Sequence, residues 1–167
     1  MSVAARTPCP GCGFPDGRKA CQDLFNTIAL RTRELAWTGS LRTWRLLHDV
    51  YDIQHEEEFC GRYKGLVMHL GGVCWAIEYG GSETGYRALQ TFIERNSWKD
   101  VPYPPEPGIP TSRGVLTVAS LEKLADAEQI AAGVDRWARA AWVAYAPLQP
   151  IAREWVQQAL ALARNKR

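Results

Sequence analysis

Cys9-Pro10-Gly11-Cys12-Gly13 sets two thiols three positions apart. Proline and glycine at this density, continued by Phe14-Pro15-Asp16-Gly17, exclude helix and predict two consecutive tight turns. Two thiolates held in such a turn can bind one tetrahedral Zn²⁺ while backbone N–H groups point at the sulfurs. The pair needs two more ligands. Cys21 lies nine residues beyond Cys12, near the first turn of a helix, where the N-terminal dipole favours a thiolate. His55 and His69 are the leading candidates for the rest, because each falls on an otherwise apolar helix face where an unpaired imidazole is costly to bury. A redox role for the Cys-x-x-Cys pair lacks the βαβ context it would need. Cys60, five residues after His55, is a reserve ligand, and Cys74, between Val73 and Trp75, reads as an ordinary buried thiol.

Other residues offer competing chemistry. His48-x-x-x-Asp52-x-x-His55 could chelate a metal from one helix face, since steps of four and three bring side chains together. With His69 from the next helix, this would be a nitrogen and carboxylate site of catalytic type, open to water. Glu56, Glu57 and Glu58 follow at the end of that helix and are expected to be solvated surface. Asp49 is placed to orient an imidazole rather than to bind metal itself. Trp137, Trp142, Tyr145 and Trp155 would form a ligand-binding face only if exposed; an aromatic stripe on an amphipathic helix is more commonly core. Glycine-rich phosphate loops, His-Glu-x-x-His and Gly-x-Ser-x-Gly are all missing from the sequence.

The elements that must position these groups are helical. Three- and four-residue spacing of apolar positions predicts helices over Lys19–Trp37, Leu41–His55, Arg62–Tyr79 and Glu83–Asn96. Gly39 is a natural stop after the first, Ser40 a cap for the second and Ser82 a cap for the fourth. Gly65, Gly71 and Gly72 cost helix propensity, so they point to close helix approach on that side. Residues 98–116 carry half of the ten prolines and predict an extended segment packed across the bundle. A fifth helix is expected from Leu121 to Ala132, capped by Ser120. A sixth is expected over Val134–Tyr145, with Gly133 as a break or a continuation, and a last from Pro150 to Arg164.

The chain has 167 residues, a formal net charge of +2 and five cysteines. This length suits one all-α domain over residues 1–167, comprising a zinc knuckle at 1–18, the proline-rich loop at 98–116 and C-terminal helices at 120–164. The near-neutral charge gives no electrostatic footprint for nucleic acid. No apolar run is long enough to span a membrane, and residues 1–10 lack the apolar region of a signal peptide, so a cytoplasmic protein is expected. An odd cysteine count in that setting argues against a disulfide framework and for metal or a reactive thiol.

Taken together, Cys9-Pro10-Gly11-Cys12-Gly13, Cys21 with Phe25, Asp49-x-Tyr51-x-x-Gln54-His55, His69-Leu70, Trp137-Ala138 with Trp142, and Arg153-x-Trp155 resemble an uncharacterised family of small bacterial helical proteins, a domain of unknown function. The resemblance implies that Cys9, Cys12, Cys21, His55 and His69 belong to one site, and it implies no activity. The turn from Ala146 to Pro150 departs from the pattern in having no histidine. Five candidates are one too many for a tetrahedral metal. The expected set is Cys9, Cys12, Cys21 and His55 around Zn²⁺, with His69 as an alternate ligand and Asp49 and Tyr51 behind the ligands. Such a closed site is structural and would belong to an accessory or binding protein with a protein or small-molecule partner along the aromatic stripe. With only three protein ligands, a zinc-bound water would instead suit a hydrolase or lyase acting on a small molecule.

Overall fold

Burying the apolar stripes produces seven α-helices and no strand among the described residues, which in this computed structural model are 7–36 and 41–164. They are α1 (Gly17–Ala36), α2 (Leu41–Gln54), α3 (Glu56–Phe59), α4 (Tyr63–Glu78), α5 (Glu83–Arg95), α6 (Ala127–Ala144) and α7 (Gln149–Arg164). The protein is all-α. The stop expected at Gly39 and the cap at Ser40 lie outside the described residues. Ser82 does cap α5, its hydroxyl accepting the Gly85 N–H.

The centre is the antiparallel pair α2 and α4, which pack more extensively than any other two elements. Arg42 donates to the Ala76 carbonyl near one end and Asp49 meets Gly72 and His69 further along, which fixes the pairing. Helix α1 and helix α6 lie on α2, while α5 and α7 lie on α4 and on each other. The glycines of α4 serve this approach. A Cβ on Gly71 would stand 3.2 Å from the Leu89 side chain of α5, and one on Gly72 would stand 2.2 Å from the Asp49 carboxylate.

One expectation is corrected. The fifth helix does not start at Leu121: Thr117 caps a short 3-10 turn over Val118–Leu121, and the α-helix begins only at Ala127, where the Asp126 carboxylate accepts the Gln129 N–H. Of the two alternatives at Gly133 the structure takes the continuation, so the expected fifth and sixth helices are one, α6. The bare backbone of Gly133 accommodates Leu121 and Leu124, whose side chains would be 2.7 and 2.4 Å from a Cβ there. The proline-rich segment packs as expected, with Trp98, Val101, Tyr103, Ile109 and Leu116 set against the core. At its end Gly114, with φ +109°, passes 3.2 Å from α6 measured at the site of a Cβ.

The aromatic stripe is core. Trp137, Trp142, Tyr145 and Trp155 are all buried, so they form no ligand-binding face. Trp142 donates its indole N–H to Glu78, whose carboxylate also pairs with Arg153 on α7. No helix is long and apolar enough to cross a membrane among the described residues.

Candidate metal centre

The N-terminal turn is tied by backbone hydrogen bonds from Cys9 N–H to the Phe14 carbonyl and from Gly13 N–H to the Cys9 carbonyl, both 2.8 Å. Gly13 takes φ +77°, the left-handed conformation that turns the chain back. Cys21 sits early in α1, and the packing of α1 on α2 carries it toward His55, which directly follows α2. Gly11 makes the last approach feasible: a Cβ there would lie 2.4 Å from the His55 ring and 2.8 Å from the Gln54 carbonyl oxygen.

These pieces bring Cys9, Cys12, Cys21 and His55 together, with one ligand atom from each and all four atoms within 4.8 Å of one another. His55 Nε2 lies 3.5 Å from Cys9 Sγ and 3.6 Å from Cys21 Sγ, and Cys12 Sγ lies 3.6 Å from Cys21 Sγ. Zinc distances of about 2.3 Å to sulfur and about 2.0 Å to nitrogen imply tetrahedral edges of about 3.5 Å between S and N and about 3.8 Å between sulfurs. The three edges just given match that shell, and the remaining three are no longer than 4.8 Å. They are far too long for a disulfide, whose sulfurs stand about 2.0 Å apart, and all five cysteines are free.

The protonation pattern is prepared for a cation. His55 Nδ1 is 2.7 Å from the Tyr51 carbonyl oxygen, which can only accept, so the ring proton sits on Nδ1 and Nε2 presents its lone pair to the thiols. Cys12 is held below the usual thiol range, chiefly by the hydrogen bond from Cys21, with burial opposing. Cys21 is pushed up by giving that same bond and by burial beside Cys12 and Cys9. A metal bound here would displace the proton of the Cys12–Cys21 contact. Arg18 approaches Cys9 Sγ at 3.9 Å and forms an ion pair with Glu58, and the Tyr51 hydroxyl stands 4.0 Å from Cys21 Sγ.

A network that the sequence did not reveal fixes the end of α2. Gln54 is fully buried and donates from Nε2 to the carbonyls of Arg113 and Leu116, both at 2.8 Å, while accepting the Trp137 indole N–H at 3.0 Å. Arg113 returns a hydrogen bond to the Gln54 carbonyl and lies 3.5 Å from Glu56. Glu56 is thus buried rather than solvated as expected, and burial raises its pKa while the Arg113 charge opposes. Glu57 and Glu58 are exposed.

The remaining candidates lie elsewhere. His69 does not join the thiols; its Nδ1 is 3.0 Å from Asp49 Oδ1 and 3.3 Å from Asp52 Oδ2. Asp49 thus orients an imidazole, but that of His69 rather than His55. Tyr51 is the residue behind the ligands. The chelate pictured from His48, Asp52 and His55 is divided by the structure, with His55 among sulfurs and His48 and Asp52 lining a separate cavity. Cys60 is buried and directs its thiol toward the Asp52 carbonyl at 3.5 Å, and Cys74 is buried in the core, its thiol pushed up to about 12 by burial.

Residues 7–146 match a family of unknown function, DUF5946. The chain belongs to this family. Comparison with curated proteins and with solved structures gives no match. The part shared with the family contains Cys9, Cys12, Cys21 and His55 together with all of the α2–α4 pair, and it ends before α7.

Proposed function

We propose that this family member is a structural zinc protein: Cys9, Cys12, Cys21 and His55 hold one Zn²⁺ that staples the N-terminal turn to α1 and to the end of α2, leaving the bundle to serve as an accessory or binding module. The observation that carries this reading is the closed set of four ligand atoms, all within 4.8 Å of one another. Three sulfurs and one imidazole nitrogen suit zinc among the common ions. With four protein ligands there is no position for a reacting water, so the metal contributes folding free energy rather than catalysis. Cys9, Cys21 and His55 are each no more than 2% exposed, which further shields such a centre from solvent. Five free cysteines also suit a reducing compartment, and we place the protein in the cytoplasm.

The test is metal content across single cysteine variants of the full chain. Wild type, Cys60→Ser and Cys74→Ser should each hold one zinc per chain, whereas Cys9→Ser, Cys12→Ser and Cys21→Ser should lose it or bind it far more weakly. Metal content that ignores Cys9, Cys12 and Cys21 would overturn the reading.

A further inference from the structure

We propose that the metal centre is also a redox switch: a hydroperoxide oxidises Cys12 and Cys21 to a disulfide, zinc leaves, and the metal tie between the N-terminal turn and His55 is lost. This rests on the reading of Cys9, Cys12, Cys21 and His55 as zinc ligands and adds the regulation of that site. A zinc ligand is a thiolate, the nucleophilic form of sulfur. Which sulfur reacts then depends on access and on where a second thiol stands to complete the disulfide.

The four ligands differ in access. Cys9 is 2% exposed, His55 1% and Cys21 0%, whereas Cys12 is partly exposed and stands between two glycines in the turn, Gly11 and Gly13. Cys9 also has the Arg18 guanidinium 3.9 Å from its sulfur, which draws on the lone pairs that would attack. First attack therefore falls to Cys12. The second thiol is already in contact with it, since Cys21 Sγ lies 3.6 Å from Cys12 Sγ and a bond of about 2.0 Å needs only about 1.6 Å of sulfur movement. Cys60 and Cys74 are buried, and the Cys60 thiol is directed to the Asp52 carbonyl, so neither takes part.

The chemistry balances with the hydroperoxide as oxidant. The Cys12 sulfur attacks its terminal oxygen; an S–O bond forms, the O–O bond breaks, and the leaving oxyanion takes a proton from solvent. The Cys21 sulfur then attacks the Cys12 sulfur; the S–S bond forms, the S–O bond breaks, and hydroxide leaves to become water. Two electrons have passed from the two sulfurs to the peroxide. Cys9 and His55 remain, two ligands where a closed zinc site uses four.

The structure confines the effect. The new cross-link joins positions nine apart, the turn to α1, and holds nothing on α2. The end of α2 has its own anchor in Gln54, bonded to Trp137 and to the carbonyls of Arg113 and Leu116 without use of any thiol. Oxidation thus frees the turn and leaves the bundle.

The test treats zinc-loaded full-length protein with a small excess of hydrogen peroxide at neutral pH, follows zinc with a chromogenic indicator and maps disulfides by peptide mass spectrometry. One zinc per chain should be released with formation of a Cys12–Cys21 disulfide, and the thiol count should fall from five to three, two of the five free cysteines being consumed. The helical circular dichroism should persist, dithiothreitol with added zinc should restore the starting state, and the Cys60→Ser/Cys74→Ser double variant should respond as wild type does. Zinc retained under peroxide, a disulfide that includes Cys9, Cys12 carried to sulfinic acid without a disulfide, or loss of the helical signal would overturn the proposal. Zinc content before peroxide separates the two readings: zinc present but unresponsive counts against the switch alone, whereas protein that never holds zinc removes the metal centre and the switch with it.

Discussion

Two imidazoles of this bundle, His55 buried and His69 half-buried, have the same first move and opposite consequences. His55 and His69 each turn Nδ1 to an oxygen, but for His55 that oxygen is the Tyr51 backbone carbonyl, and for His69 it is the carboxylate of Asp49 with Asp52 close by. A neutral carbonyl fixes the tautomer without paying the ring a charge, and leaves Nε2 as a lone pair among three sulfurs. Carboxylates do the reverse. Burial pulls the His69 pKa down, yet the Asp49 hydrogen bond and the charges of Asp49 and Asp52 outweigh it, so the ring holds its proton above the usual range. One histidine is therefore set up as a metal ligand and the other as the partner of two carboxylates. The partner of Nδ1 decides which.

The largest effect should come from removing the metal. Chelation of the wild-type protein is expected to destabilise it by several kcal/mol, toward the ~10 kcal/mol scale of structural zinc sites, seen as a lower thermal midpoint that excess zinc restores. Asp52→Asn should leave that response intact. Next is Gln54→Leu, which strands the Trp137 indole N–H and the carbonyls of Arg113 and Leu116; each unpaired buried group costs about 1–3 kcal/mol. Urea unfolding would measure the loss, and zinc affinity should fall with it because the end of α2 loosens around His55.

A matched pair of glycine variants sharpens the contrast further. Gly11→Ala drives a methyl to 2.4 Å from the His55 ring and 2.8 Å from a backbone oxygen, so it should weaken zinc binding and cost about 1–3 kcal/mol as overpacking. Gly72→Ala meets the Asp49 carboxylate, at 2.2 Å, and should destabilise the fold by about 1–3 kcal/mol while zinc affinity stays at the wild-type level. Competition for a zinc indicator and urea unfolding read the two outcomes. If both variants weaken zinc binding alike, the two regions are not independent.

The smallest effect concerns pH. Because the folded pKa of His69 lies above its unfolded value, near 6.5, its ion pair stabilises the fold fully below that unfolded value. The contribution is lost as pH rises through the folded pKa. The stability gap between wild type and His69→Gln should therefore shrink from pH 6 to pH 9 in denaturant titrations. A gap that widens with pH would show that His69 is buried neutral.

The sequence made the Cys-x-x-Cys turn, the long helices and the close approach at Gly71 and Gly72 legible, because each is written in local spacing. It also put His55 ahead of His69 as the fourth ligand, but local spacing alone left His69 as an alternate. Both stand on apolar faces, and only the pairing of α2 with α4 decides which reaches the sulfurs and which meets Asp49. Burial of Glu56 was invisible for a similar reason, since Arg113 reaches it from the far end of the proline-rich segment. Periodicity also misjudged residues 121–126, where Leu121 and Leu124 are apolar because they cover Gly133 rather than because they share a helical stripe.

The most direct measurement is zinc-edge X-ray absorption on the purified full-length protein. A closed centre built from Cys9, Cys12, Cys21 and His55 gives three sulfur neighbours at about 2.3 Å and one imidazole nitrogen at about 2.0 Å. Fewer than three sulfurs, or an added oxygen from water, would contradict it.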